Sequence, residues 1–368
     1  MKIVAMGMFL ALHAFSAEDP KSGMHLVASE IAQLQKYMLS DATFSIPADE
    51  GKIKNSLKSI TSHLDHLKSA FKEDPALQVN LNLLHQHLTD ATKTFEQGNK
   101  SFARYMVQSS LQMCISCHTR KKASDFTWME EDKSLPALER ADYLFATRQF
   151  KKGKAVYEEV VEKFPRNNLG QWNLKKALLS LAIYYAKVEE NPKAGTEYFS
   201  KVAKRKDAIP AYVLEEVRSW TSEFEAWSKE KNTLPANADQ TQLLAAGKAL
   251  LRRDDFTFFS DRHFHVRRLR ASSLFHKVLE TPGEKSPQKA EALLYLGQVY
   301  PRVSSNFFFR FGEMYLKVCI TQYPKTATAR SCYVSLESLV AEGFSGSAGT
   351  NIPTEDEVEL VKLKRMAF

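Results

Sequence analysis

The chain has 368 residues, with 51 Lys and Arg against 43 Asp and Glu, 44% hydrophobic residues and only 14 Gly and 13 Pro. That is enough apolar residue for two or more packed domains, and too few turn-formers for a glycine-rich nucleotide fold or an all-β chain, so long helices are expected. The formal charge of +8 is spread among alternating acids and bases, with most of the excess in the C-terminal two-thirds; no basic run points to nucleic acid, and a solvated helical surface accounts for the pattern.

Lys2 precedes an apolar run from Ile3 to Phe15, followed by small residues at Ser16 and Ala17. This pattern predicts a secretory signal over residues 1–16, cut after Ser16 with Ala14 at the minus-three position; an uncleaved anchor is the alternative. The run is too short to span a bilayer, and no later window reaches 18 uninterrupted apolar residues, so no transmembrane segment is expected once the signal is removed.

Four helices are predicted next. The first covers residues 22–40, with Met24, Val27, Ile31, Leu34 and Met38 on one stripe. The second, 51–72, places Ile53, Leu57, Ile60, Leu64, Leu67 and Phe71 at alternating steps of four and three, the seam of a bundle helix. The third, 76–97, repeats that seam with Leu77, Leu81, Leu84, Leu88, Ala91 and Phe95 and stops at Gly98. Asn99 caps the fourth, 100–122, whose inward residues are read as Phe102, Met106, Ser109 and Met113. Short connections make these an up-down four-helix bundle over residues 20–123.

The fourth helix carries Cys114-Ile115-Ser116-Cys117-His118, a C-x-x-C-H sequence. Two thiols one turn apart can add across the vinyl groups of a haem, and an imidazole directly after them can reach its iron. A zinc site would need a second ligand pair, which neither Cys319 nor Cys332 supplies. A thioredoxin-type pair would follow a strand, whereas the residues before Cys114 read as helix. One covalently attached haem c is therefore expected, and such attachment takes place on the exported side of the membrane, in line with a periplasmic location. His63, His66, His85 and His87 on the middle helices have no Cys pair near them and are read as surface imidazoles.

With its haem motif near the end of the fourth helix and the basic tail Arg120-Lys121-Lys122 behind it, the stretch 20–123 resembles the class II cytochromes c, the cytochrome c prime group. The resemblance implies that Cys114 and Cys117 hold the haem and that His118 is the proximal iron ligand. In an antiparallel bundle the last turn of the fourth helix lies beside the start of the first, so the distal ligand is sought near residue 24. Met24 lies on the inward stripe, while His25 is turned about 100° from it, and Met24 is the expected ligand. A His/Met pair gives a six-coordinate electron carrier, whereas an open distal position gives a five-coordinate haem that binds or senses small gases. Met24 as plain core filler is the third possibility.

Residues 124–134 break the helical pattern and read as a linker. From 135 to 342 helix pairs recur. Ala141, Leu144, Phe150, Gly153, Tyr157, Val160 and Pro165 resemble a tetratricopeptide repeat, and Ile183, Ala186, Gly195, Phe199 and Val202 form a degenerate second copy. Further pairs are read at 237–252 with 264–280 and at 287–300 with 312–323, with helices near 211–229 and 326–342 completing an α-solenoid whose concave side would dock a redox partner protein. Phe307, Phe308, Phe309 and Phe311 are read as packing residues. Cys319 and Cys332 lie at comparable distances from the turn at Pro324, so a disulfide is feasible. Residues 343–368 read as a Gly/Ser linker and a capping helix. No catalytic constellation is visible; the sequence points to an all-α electron-transfer protein rather than an enzyme, with gas sensing or a scaffold holding a structural haem as alternatives.

Overall fold

Apolar residues at alternating three- and four-residue steps can be buried together only on helices. In the computed structural model, which describes residues 20–71, 74–119, 133–167, 169–230, 234–235, 237–252, 265–282, 285–303, 309–347 and 349–368, the protein is accordingly all-helical apart from one two-residue antiparallel strand pair. The expected signal and all but the last two residues of the expected linker lie outside the described residues, as do Phe307 and Phe308.

The N-terminal elements are α1 (Pro20–Gln35), α2 (Asp41–Phe44), α3 (Glu50–Ala70), α4 (Pro75–Glu96) and α5 (Lys100–His118). Helix α1 packs on α3, α3 on α4 and α4 on α5. The α3 seam is buried as its spacing predicts, at Ile53, Leu57, Ile60, Leu64 and Leu67. Asp74 accepts a hydrogen bond from Leu77 N–H at 2.9 Å and starts α4 with Pro75 in its first turn. Gly98, at φ +88°, makes the turn into α5.

Two expectations are corrected. The first helix stops at Gln35 instead of running to residue 40, because the Tyr37 and Met38 amides turn back to the Leu34 carbonyl and Ser40 forms a capping box with Thr43 that opens α2. This short helix buries Phe44 edge-on to Phe95, with ring centroids 5.3 Å apart. On α5, Ser109 and Met113 are buried as read, but Phe102 points outward and stacks on Tyr105, Met106 is only partly buried, and Ala103, Val107 and Ser110 are buried as well. Small residues let α5 approach its neighbours, so the most apolar side chain did not mark the inner face. The helix is described to His118, and residues 120–122 of its expected span lie outside the described residues.

The remaining helices are α6 (Ala137–Ala146), α7 (Phe150–Lys163), α8 (Gln171–Ile183) with a π-helical continuation over Tyr184–Val188, α9 (Pro192–Ala203), α10 (Ala211–Ser228), α11 (Gln240–Leu250), α12 (His265–Glu280), α13 (Pro287–Val303), α14 (Phe309–Gln322), α15 (Ala327–Gly343) and α16 (Thr354–Ala367). Consecutive helices pack in pairs, and one glycine device recurs among them. A Cβ on Gly153 of α7 would stand 2.5 Å from the Phe145 ring of α6, one on Gly195 of α9 2.8 Å from Phe224 of α10, one on Gly247 of α11 2.5 Å from Phe275 of α12, and one on Gly297 of α13 2.5 Å from Leu316 of α14. Each pair thus crosses where one helix has no side chain and the other supplies a large one. Cys319 of α14 and Cys332 of α15 form a disulfide, with Cα atoms 6.4 Å apart. Phe311 is fully buried.

The chain also closes on itself. Helix α5 packs on α6, and both α12 and α14 reach back to α4. Val79 and Leu83, which fall off the predicted α4 stripe, are buried as well. No helix among the described residues is long and apolar enough to cross a membrane.

Two outcomes are expected from this packing. Gly153→Ala forces a methyl into Phe145 and lowers stability by about 1–3 kcal/mol in urea denaturation, whereas Gly51→Ala, with open space around it, is neutral or slightly stabilising. Glu223 of α10 accepts the Arg267 N–H at 2.8 Å and lies near the Arg268 guanidinium, yet burial pushes its carboxyl up to about 7 from an ordinary 4.5. Between those values the folded chain keeps a proton that the unfolded chain has released, so stability falls as pH rises from about 4.5 to about 7, by up to about 3 kcal/mol in all. Glu223→Gln should flatten this part of the stability profile, as read by denaturation at pH 5 and pH 8.

Candidate functional site

The last turn of α5 brings Cys114 and Cys117 onto one helix face, three residues apart, with His118 next in line. Both cysteines are half-buried and neither is disulfide-bonded. With Met24 of α1 they line one pocket, whose walls include Val27 and Ile31 of α1, Leu81 and Leu84 of α4, and Leu111 and Met113 of α5. The four residues singled out in the sequence therefore share a single site. His25 is not among the described residues lining it.

Helix α6 closes the fourth side with Tyr143, Ala146 and Thr147. The buried Tyr143 packs on Met24, Ala28 and Ala32, one face of α1. His118 donates from Nδ1 to the carbonyl oxygen of Ala146, at the C-terminal end of α6. A carbonyl can only accept, so the proton is on Nδ1 and the lone pair on Nε2. The α6 terminus presents the negative end of its dipole to the same ring, which makes that nitrogen a better donor to a cation.

Burial, with Cys117 beside it, pushes the Cys114 thiol up to about 12. A thiol-disulfide catalyst needs the opposite, a thiol lowered by a helix N-terminus or a neighbouring cation, and Cys114 stands near the C-terminal end of its helix. The donor set suits a haem better: two thiols for thioether bonds, an imidazole with its Nε2 lone pair, a thioether sulfur, and apolar walls. The pocket volume is only about 50 Å³, so a macrocycle requires its walls to part. Helices α1 and α5 each pack mainly on another partner, α3 and α4 respectively, rather than on one another.

Of the middle-helix imidazoles, His85 and His87 link neighbouring helices, while His66 is exposed. His87 Nε2 lies 2.7 Å from Ser109 Oγ of α5, His85 Nε2 lies 3.2 Å from Asp65 of α3, and His63 is paired with Ser59 on its own helix. Among the described residues no group of three or more His, Cys, Asp or Glu could hold a metal ion. Tyr143, Ala146, Thr147 and Asn80, with Ala28 and Leu111, are the lining residues that sequence reasoning did not single out. The first three lie beyond the linker, where no local pattern ties them to α5, and Asn80 is a polar residue off the apolar stripe.

Comparison with protein-family models, with curated proteins and with solved structures finds no match for this chain.

In chain whose thiols carry no adduct, Cys114 is expected to react with iodoacetamide at pH 8 at least 100-fold more slowly in the folded than in the urea-unfolded state. Equal rates, read by mass mapping of the alkylated peptides, would remove the argument from its buried thiol.

Proposed function

We propose that the chain is an exported monohaem c-type cytochrome of the class II kind, an N-terminal four-helix haem bundle followed by an α-solenoid, that carries single electrons to or from a protein partner. The observation that carries this reading is the meeting of Cys114, Cys117, His118 and Met24 on one apolar pocket, with the His118 tautomer set by the Ala146 carbonyl.

In this reading Cys114 and Cys117 would hold one haem c through thioether bonds, and His118 Nε2 and Met24 Sδ would ligate its iron. The haem, when bound, supplies the one-electron ferrous/ferric couple. The chain supplies the rest. The apolar walls from α1, α4 and α5 exclude water and favour the less charged redox state. The Ala146 carbonyl keeps His118 in the ligating tautomer. Tyr143 packs Met24 against α1 and restrains its sulfur. The repeat helices grip the bundle through α4 and α5 and offer their remaining surface, which carries most of the basic excess, to an acidic redox partner. The N-terminal signal pattern and the Cys319–Cys332 disulfide support an oxidising, periplasmic setting.

The test is the optical spectrum of protein matured in a periplasm, oxidised and reduced, with and without carbon monoxide. Wild type should carry covalent haem, with a sulfur-to-iron charge-transfer band that Met24→Ala abolishes, and Cys114→Ser with Cys117→Ser should abolish attachment. A high-spin spectrum that binds carbon monoxide and ignores Met24→Ala would turn the reading to a five-coordinate gas-binding protein. Absence of haem would end both.

A further inference from the structure

A second cavity lies on the other side of α6 from the cysteines, between α5, α6 and α8 and the segment after α1. Its volume is about 350 Å³, within the range of small-molecule sites. Only Leu111 lines both this groove and the thiol pocket among the described residues.

Its walls combine two features. Aromatic rings stand exposed on it: Trp172, in the first turn of α8, is 69% exposed, and Tyr105 of α5 is 47% exposed. Leaving a Trp ring in water at the mouth of a groove forgoes apolar burial that a bound ligand could restore. The second feature is an unbalanced charge. The cations around the groove are each committed to a carboxylate of their own: Lys175 to Glu216 at 2.8 Å, Lys176 to Asp142, and Arg104 to Asp41 at 2.6 Å. Asp142 is further satisfied by Tyr157 Oη and by Gln112 Nε2 at 3.2 Å. Glu139, which lines the groove one turn before Asp142, makes no ion pair among the described residues. Its place in the first turn of α6 and the charges of Lys176 and Arg104, which lie near it without pairing with it, favour the carboxylate, but burial first and then the neighbouring Asp142 outweigh them and hold its carboxyl above the ordinary range. A cation brought to Glu139 would relieve both effects.

We propose that this groove is a binding site for an organic ammonium group, with Glu139 as counter-ion and Trp172 and Tyr105 as its aromatic walls. Carboxylate and π-faces together select a cation over an anion or a neutral isostere. A free alkylamine and the lysine side chain of a polypeptide present the same chemistry. The proposal does not rest on the haem reading.

The experiment is calorimetric titration of the full chain at pH 7.5 with n-butylammonium chloride, with a capped Gly-Gly-Lys-Gly-Gly peptide, and with n-pentanol and butyrate as neutral and anionic controls. At least one cation should bind tenfold or more tightly than either control, and Glu139→Gln and Trp172→Ala should each weaken it at least fivefold. Binding of the peptide alone assigns the site to a lysine of a protein partner, and binding of the alkylamine alone assigns it to a free amine. Absence of cation binding, no preference over the controls, or binding unchanged in both variants overturns the proposal. Because Trp172 is largely exposed, its variant keeps the core intact and reports on folded protein.

Discussion

The seating of α6 against the last turn of α5 is the contact on which the rest of the molecule depends. Through it the Ala146 carbonyl receives the His118 proton, Tyr143 reaches Met24, and Asp142 draws Gln112 of α5 together with Tyr157 of α7 and Lys176 of α8. Buried, fully satisfied polar groups of this kind are costly to disturb, because any displaced partner is left without water. One short helix therefore sets the geometry of the thiol pocket on one side and the floor of the aromatic groove on the other.

Much of the helical layout was legible because periodicity is a local property. The α3 seam and the Asn99 cap announce themselves within a few residues, as does the glycine crossing at Gly153. What escaped reading was set by contacts distant in sequence. On α5 the reading found Ser109 and Met113, which are buried, but it missed the small Ala103 and Ser110 and chose Phe102, whose ring is exposed. Val79 and Leu83 are buried although they fall off the α4 stripe, and α4 packs on helices much later in the chain, which no stripe could show.

The candidate site divides the same way. The motif at Cys114, Cys117 and His118 is contiguous and visible at once, and Met24 follows from helix geometry once antiparallel packing is assumed. The α6 wall does not, since nothing near residue 143 or 146 points back to residue 118 across the linker. The groove with Glu139 was invisible for another reason. A carboxylate in a first helical turn is ordinary in sequence, and only the pairing of the neighbouring cations with other acids marks it out.

The grip of α12 and α14 on α4 has a consequence for how the protein is made. As the chain emerges from its N-terminus, α4 forms early, but α12 and α14, which pack on it, are among the last helices to appear. Until then α4 lacks two of its packing partners, and its final seating waits on nearly complete synthesis. The C-terminal helices thus finish the assembly of a neighbour made long before them.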